Sequence, residues 1–185
     1  MSRYRKIDPR IWNDAKFASL SDEGKLVFFM LLTHPSMTAL GAMRATAEGL
    51  AAELGWRAEA FRKAFEEVCL KGMAEHDGAA HFVALPGFLK YNTPESPNVI
   101  RAWRGSVDLL PECSLKGVVL QRAYLWSQGM SEGFRKAFIE AFGHPIAYQE
   151  QEQEQEPKKE LSHRGDNLSV DADGVVTDDE TGGAH

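Results

Sequence analysis

The stretch TAEGLAAELGWRAEAFRKAFEEVCLKG, residues 46–72, decides how the rest of the chain is read. Thr46 is a good N-cap, because its hydroxyl can accept from an amide that the first helical turn leaves unsatisfied. Leu50 and Leu54 follow at the i, i+4 spacing of one helical face, and Gly55 stands where a helix ends in a left-handed conformation. A second helix starts almost at once, with Phe61, Phe65 and Val68 on one face and Gly72 to close it. Two helices joined so shortly, with small Ala51 where they cross, predict a helix-turn-helix.

The neighbouring segments extend that reading. Downstream, residues 73–76 and 81–85 are short extended runs around Asp77-Gly78, a hairpin signal. Upstream, residues 40–44 predict a small strand. Before it, Ser21 caps a helix with Asp22 and Glu23 in its first turn. That helix is apolar at every position over residues 26–32 and closes at His34-Pro35, so it is expected at the centre of the fold. Helix, strand, helix-turn-helix and hairpin in that order predict a winged helix. Residues 89–94 read as a connector, and Ser96-Pro97 opens a helix carrying Val99, Ile100, Trp103, Val107 and Leu110. Two further amphipathic helices are expected at 115–127 and 132–142. The fold class is therefore mainly α with a small β-hairpin: a winged helix over residues 1–94, a helical extension packed on it over 95–148, and a tail over 149–185.

The tail opens with a Gln-Glu alternation, has no aromatic residue and few aliphatic ones, and is expected to be disordered. It also resolves a conflict in the electrostatics. The whole chain of 185 residues carries −6, which argues against a nucleic-acid partner. Divided at Gln149, however, the body carries +2 and the tail −8. The tail is expected either to compete with DNA for the body's basic zones or to keep the protein soluble.

Three basic zones are candidate DNA contacts. Arg57, Arg62 and Lys63 lie on the second helix of the pair, where a recognition helix meets base edges, and Arg44 closes the preceding strand. Glu59, Glu66 and Glu67 on the same helix temper its charge. The loop at 77–80 offers no Lys or Arg and is assigned no contact. Arg3, Arg5 and Lys6, with Arg10, alternate with Tyr4, Ile7 and Trp12 like an arm along a phosphate backbone; the other reading is a segment that packs beside the first helix, with Ile11, Trp12 and Phe17 supplying core. Arg101 and Arg104, with Lys90, form a third zone, which also reads as a solvated helix face.

Catalytic motifs are missing: there is no phosphate-cradling Gly-rich loop, nucleophile elbow or His-Glu-x-x-His helix, so no enzyme, cofactor or metal is expected. His76 and His81 flank a turn without a required third ligand, and Cys69 and Cys113 suggest neither a disulfide scaffold nor a metal knuckle. No apolar stretch approaches the ~20 residues of a membrane span, and the basic N-terminus is not followed by the apolar core of a signal peptide. A cytoplasmic, nucleoid-associated location is expected.

The residues RKIDPRIWNDAKFASLSDEGKLVFFMLLTHP, LGAMRATAEGLAAELGW and EHDGAAHFVALPGFLKYNTPESPNV together resemble the N-terminal domain of phage and prophage replisome organisers, which are similar to the primosomal protein DnaD. The likeness spans residues 3–126 and is most specific at Ile11-Trp12 with Lys16-Phe17, at residues 31–35, and at residues 88–99. It implies a non-catalytic winged-helix protein that binds origin DNA, forms homo-oligomers and recruits the replicative helicase or its loader. The chain departs from longer members in having the Gln-Glu tract and acidic tail where they carry a second helical domain. Two alternatives stay open: a winged-helix transcriptional regulator, and a protein-interaction adaptor that does not touch DNA.

Overall fold

The computed structural model describes residues 4–144, all within one compact unit. Arg3, the expected end of the helical extension over 145–148 and the tail over 149–185 lie outside the described residues.

The chain begins with a short 3-10 turn, Pro9–Asn13, and the four-residue helix α1, Ala15–Ala18. Both starts are fixed by aspartates: Asp8 accepts from the Arg10 amide at 2.9 Å, and Asp14 from those of Lys16 and Phe17 at 2.9 and 3.2 Å. The segment expected to be an arm is thus partly helical. Phe17 is fully buried, whereas Trp12, placed in the core by the packing reading of this segment, is 63% exposed and meets the Phe17 ring edge-on. In a tight turn adjacent residues point apart, and Ile11 holds the inward position.

Helix α2, Asp22–Thr33, starts at Ser21, whose Oγ accepts from the Gly24 amide at 3.0 Å. Its apolar run is not buried all round, as the sequence led us to expect. Val27, Leu31 and Leu32 pack inward, while Phe28, Phe29 and Met30 are half-buried and Leu26 is exposed. The packed face is turned toward α4; the outer face is only partly shielded by the Trp12, Phe17, Phe28 and Phe29 rings.

Strand β1, Ala42–Arg44, leads into α3, Ala47–Glu53, and α4, Ala58–Leu70. Thr46 caps α3 by accepting from the Gly49 amide at 3.0 Å, and the chain leaves α3 and α4 through Gly55 (φ 68°) and Gly72 (φ 65°). Those left-handed positions suit glycine because it has no Cβ to clash. Phe61, Phe65 and Val68 are buried against α2 and α3, and Ala51 sits at the α3/α4 contact with 1% exposure.

The expected hairpin forms from β2, Glu75–Asp77, and β3, Phe82–Ala84, with Asp77 opposite Phe82. The turn is longer than an Asp-Gly pair. Asp77 stays in the strand and its carboxylate accepts from the Ala80 amide, while His81 takes the left-handed conformation (φ 53°). β1 joins as a third strand, giving an antiparallel sheet in the order β1-β3-β2.

A short helix α5, Phe88–Tyr91, occupies part of the expected connector. Then come α6, Pro97–Val107, α7, Ser114–Gln128, and α8, Glu132–Phe142. α6 and α8 pack around Ile100, Trp103, Val107 and Phe138. α7 reaches the sheet: Arg122 grips the Glu75 carboxylate with both terminal nitrogens, Nη2 to Oε1 at 2.6 Å. The fold is mainly helical with one small three-stranded antiparallel sheet. Among the described residues, no helix is long and apolar enough to cross a membrane.

Candidate nucleic-acid interface

Burial of Phe61, Phe65 and Val68 turns the opposite side of α4 to solvent, and that side carries Arg57, Arg62 and Lys63. The three are not equivalent. Arg62 reaches across to α3 and pairs with Glu48, which holds that carboxyl below its usual range. Lys63 makes no ion pair among the described residues. Arg57 is the N-cap of α4, and because a guanidinium has no acceptor its side chain leaves the first amides of the helix uncapped. A cation at the positive end of a helix dipole is unfavourable for the helix. The same end, with uncapped amides, attracts an anion. Glu59 in the first turn is the opposing charge. Arg44 closes β1, opposite Phe82, exposed and without an ion pair among the described residues.

The N-terminal zone is built differently from a free arm. Arg5 is half-buried: its guanidinium donates to the Met37 carbonyl and lies over the Phe88 ring, 5.3 Å from the centroid. Burial lowers its pKa. The Lys6 backbone is stitched to Asn92 by its N–H donating to Oδ1 at 2.9 Å, with Nδ2 returning to the Lys6 carbonyl at 3.4 Å. Lys6's ammonium remains exposed. Arg10 is occupied by Asp8, whose carboxyl is pulled down to about 2 by that guanidinium.

On α6, Arg101 joins Glu140 of α8 at 2.7 Å and Asn98 at 3.0 Å, so it fastens two helices together. Arg104 is exposed and makes no ion pair among the described residues. The nine sequence candidates therefore divide. Among the described residues, Arg44, Arg57, Lys63 and Arg104 present unmatched charge, and Lys6 does so from an anchored backbone; Arg5, Arg62 and Arg101 are engaged within the fold; Arg3 lies outside the described residues.

No family model, curated protein or solved structure matches the chain.

A second basic surface escaped the sequence reading. A groove of about 760 Å³ runs between the N-terminal segment, the turn after α4 and α5, with Lys6, Arg10, Lys16 and Lys90 along it. Lys90, grouped from the sequence with Arg101 and Arg104, lines this groove. The lysines are scattered in sequence and come together only in the fold, with the Lys6 backbone held against Asn92, so no local spacing announces them. Among the described residues, no group of three His, Cys, Asp or Glu could hold a metal ion. The His76 ring packs on Phe65 at 5.0 Å, and its burial lowers its pKa.

Proposed function

We propose that the chain is a DNA-binding replication-initiation protein of the replisome-organiser kind, working without catalysis in a bacterial cytoplasm. In this reading α3, α4 and the β2–β3 hairpin act as a winged helix, and the amino-terminal end of α4 engages DNA. The observation that carries it is charge without an ion pair among the described residues: exposed Arg57 at the N-terminus of α4, with Lys63 on the same solvent side of α4 and Arg44 at the end of β1. Helix stability does not account for a cation at that position, whereas a phosphate beside it would. Arg62 joins the interface only by releasing Glu48. Arg5 and Arg101 serve the fold. The replication role, self-association and recruitment of a helicase or its loader come from the sequence resemblance.

The test is fluorescence anisotropy of the full chain with single- and double-stranded oligonucleotides across a salt series. Affinity for duplex is expected to fall steeply with salt and to depend little on sequence. A specific-to-non-specific ratio on the order of 10³ or more would favour the regulator. Absence of binding at low salt would eliminate both DNA readings and leave the adaptor.

A further inference from the structure

The groove beside α5 differs from the α4 surface in its floor. Its lining pairs the cations with Ile7, Ile11, Leu32, Met73 and Leu85, more aliphatic than aromatic beside Phe28, Phe88 and Tyr91, and its volume of about 760 Å³ is that of a ligand cleft. Its charge is unbalanced. The two carboxylates along it are already engaged, Asp8 with Arg10 and Asp14 with the first amides of α1. Among the described residues, Lys6 and Lys16 have no carboxylate partner, and Lys90 shares Asp8 with Arg10, helping to hold that carboxyl down. Lys16 projects over the turn after α4, where a methyl group added to Gly72 would lie 3.6 Å from its Nζ.

This combination selects among anionic ligands. A single strand of nucleic acid binds by stacking its bases on open aromatic rings. Tyr91 is the exposed ring here, and the Lys90 ammonium covers its face at 5.1 Å from the centroid. An aliphatic floor instead rewards burial of Leu-, Ile- or Phe-like side chains. A cationic rim rewards carboxylates beside them.

We propose that this groove docks an acidic, amphipathic peptide segment of a protein partner, its apolar side chains on the floor and its carboxylates on Lys6, Lys16 and Lys90. The mode is that of a short segment laid into a preformed groove. It does not depend on the DNA reading. The groove lies at the carboxy-terminal end of α4, touching Gly72 and Met73, whereas Arg57 stands at the other end. A helix of 13 residues is about 20 Å long, so both surfaces can be occupied at once.

The test begins with selection on the full chain from a random phage-displayed library of roughly twelve-residue peptides, followed by fluorescence polarisation of the enriched peptide. Enrichment of Asp or Glu flanking apolar residues is expected. The peptide's Kd should rise about tenfold or more in Lys16→Glu/Lys90→Glu and stay unchanged in Arg57→Glu/Lys63→Glu. Both lysines are exposed, and the milder Lys16→Gln/Lys90→Gln pair should weaken binding in the same direction if charge reversal disturbs folding. Enrichment of basic or purely apolar peptides, or of none, would overturn the proposal, as would equal affinity in the lysine variants. Displacement of the peptide by oligothymidine, itself lost in the lysine variants, would reassign the groove to nucleic acid.

Discussion

Gly24 and Glu67 provide a sharp test of how α2 is held to α4. Glu67 reaches from α4 to the start of α2, where its Oε1 accepts from the Ser21 amide at 2.8 Å and its Oε2 from the Ser21 hydroxyl at 2.5 Å. That hydroxyl in turn caps the Gly24 amide. A Cβ at residue 24 would stand 2.8 Å from Glu67 Oε2 and 3.2 Å from Ser21 Oγ, closer than the carboxylate can tolerate. Gly24→Ala therefore expels the Glu67 carboxylate. Two hydrogen bonds to a carboxylate, discounted for exposure, are worth about 1–2 kcal/mol together. Against that loss, alanine in place of glycine gains at most about 1 kcal/mol of helix propensity. Gly24→Ala alone should then cost roughly 0–2 kcal/mol, and Glu67→Ala alone about 1–2. The two together should cost no more than Gly24→Ala alone, because the link can be lost only once. Urea unfolding of the four proteins, followed by circular dichroism, measures this as a coupling energy of about 1–2 kcal/mol. Simple additivity would refute the geometry. The Glu67 carboxyl is held below its usual range chiefly by the Ser21 hydroxyl, so its contribution should be present above the unfolded pKa and fade as pH falls through the folded one.

Other outcomes follow from the same geometry. Phe65→Ala should destabilise by ~3–5 kcal/mol as truncation of a buried aromatic, and an unchanged melting temperature would mean that α4 is turned the other way. Arg57→Glu with Lys63→Glu should flatten the salt dependence of DNA binding by about 1.8 in log–log slope, a factor of roughly 12 over a fourfold rise in salt. Arg62→Ala should change the slope less because Glu48 already matches that charge, and an equal change would show that the pair opens on DNA. Burial pushes the Cys69 thiol up to about 11, so it should resist alkylation in the native protein at neutral pH and react once urea unfolds it; rapid native labelling would contradict its burial.

Local chemistry explains what could be read in advance. The Thr46 cap, the Gly55 and Gly72 exits and the Phe61-Phe65-Val68 face each act within a few residues, and all are found in place. α5 was missed because its four residues follow Pro86-Gly87 with no capping side chain, giving neither period nor start signal. The β1–β3 pairing joins two three-residue strands across the whole helix pair, a partnership that no window of sequence contains. The electrostatics suffered most. Arg62 with Glu48, Arg101 with Glu140 and Arg5 with the Met37 carbonyl are tertiary contacts, and each changes how a visible charge can be used. The basic groove is invisible for the same reason, since its lysines converge only after folding.

The order β1-β3-β2 also sets a timetable for synthesis. The middle strand is the last of the three to be made, and β1 and β2 share no edge with each other. A chain emerging from the ribosome can wind α3 and α4 from local contacts, but β1 has no partner until residues 82–84 appear. Closing that span carries a loop-entropy cost that the already folded helix pair shortens. A nascent chain that has emerged only as far as His81 would therefore hold β1 and β2 unpaired beside the helix pair, and emergence of residues 82–84 would let β3 pair with both.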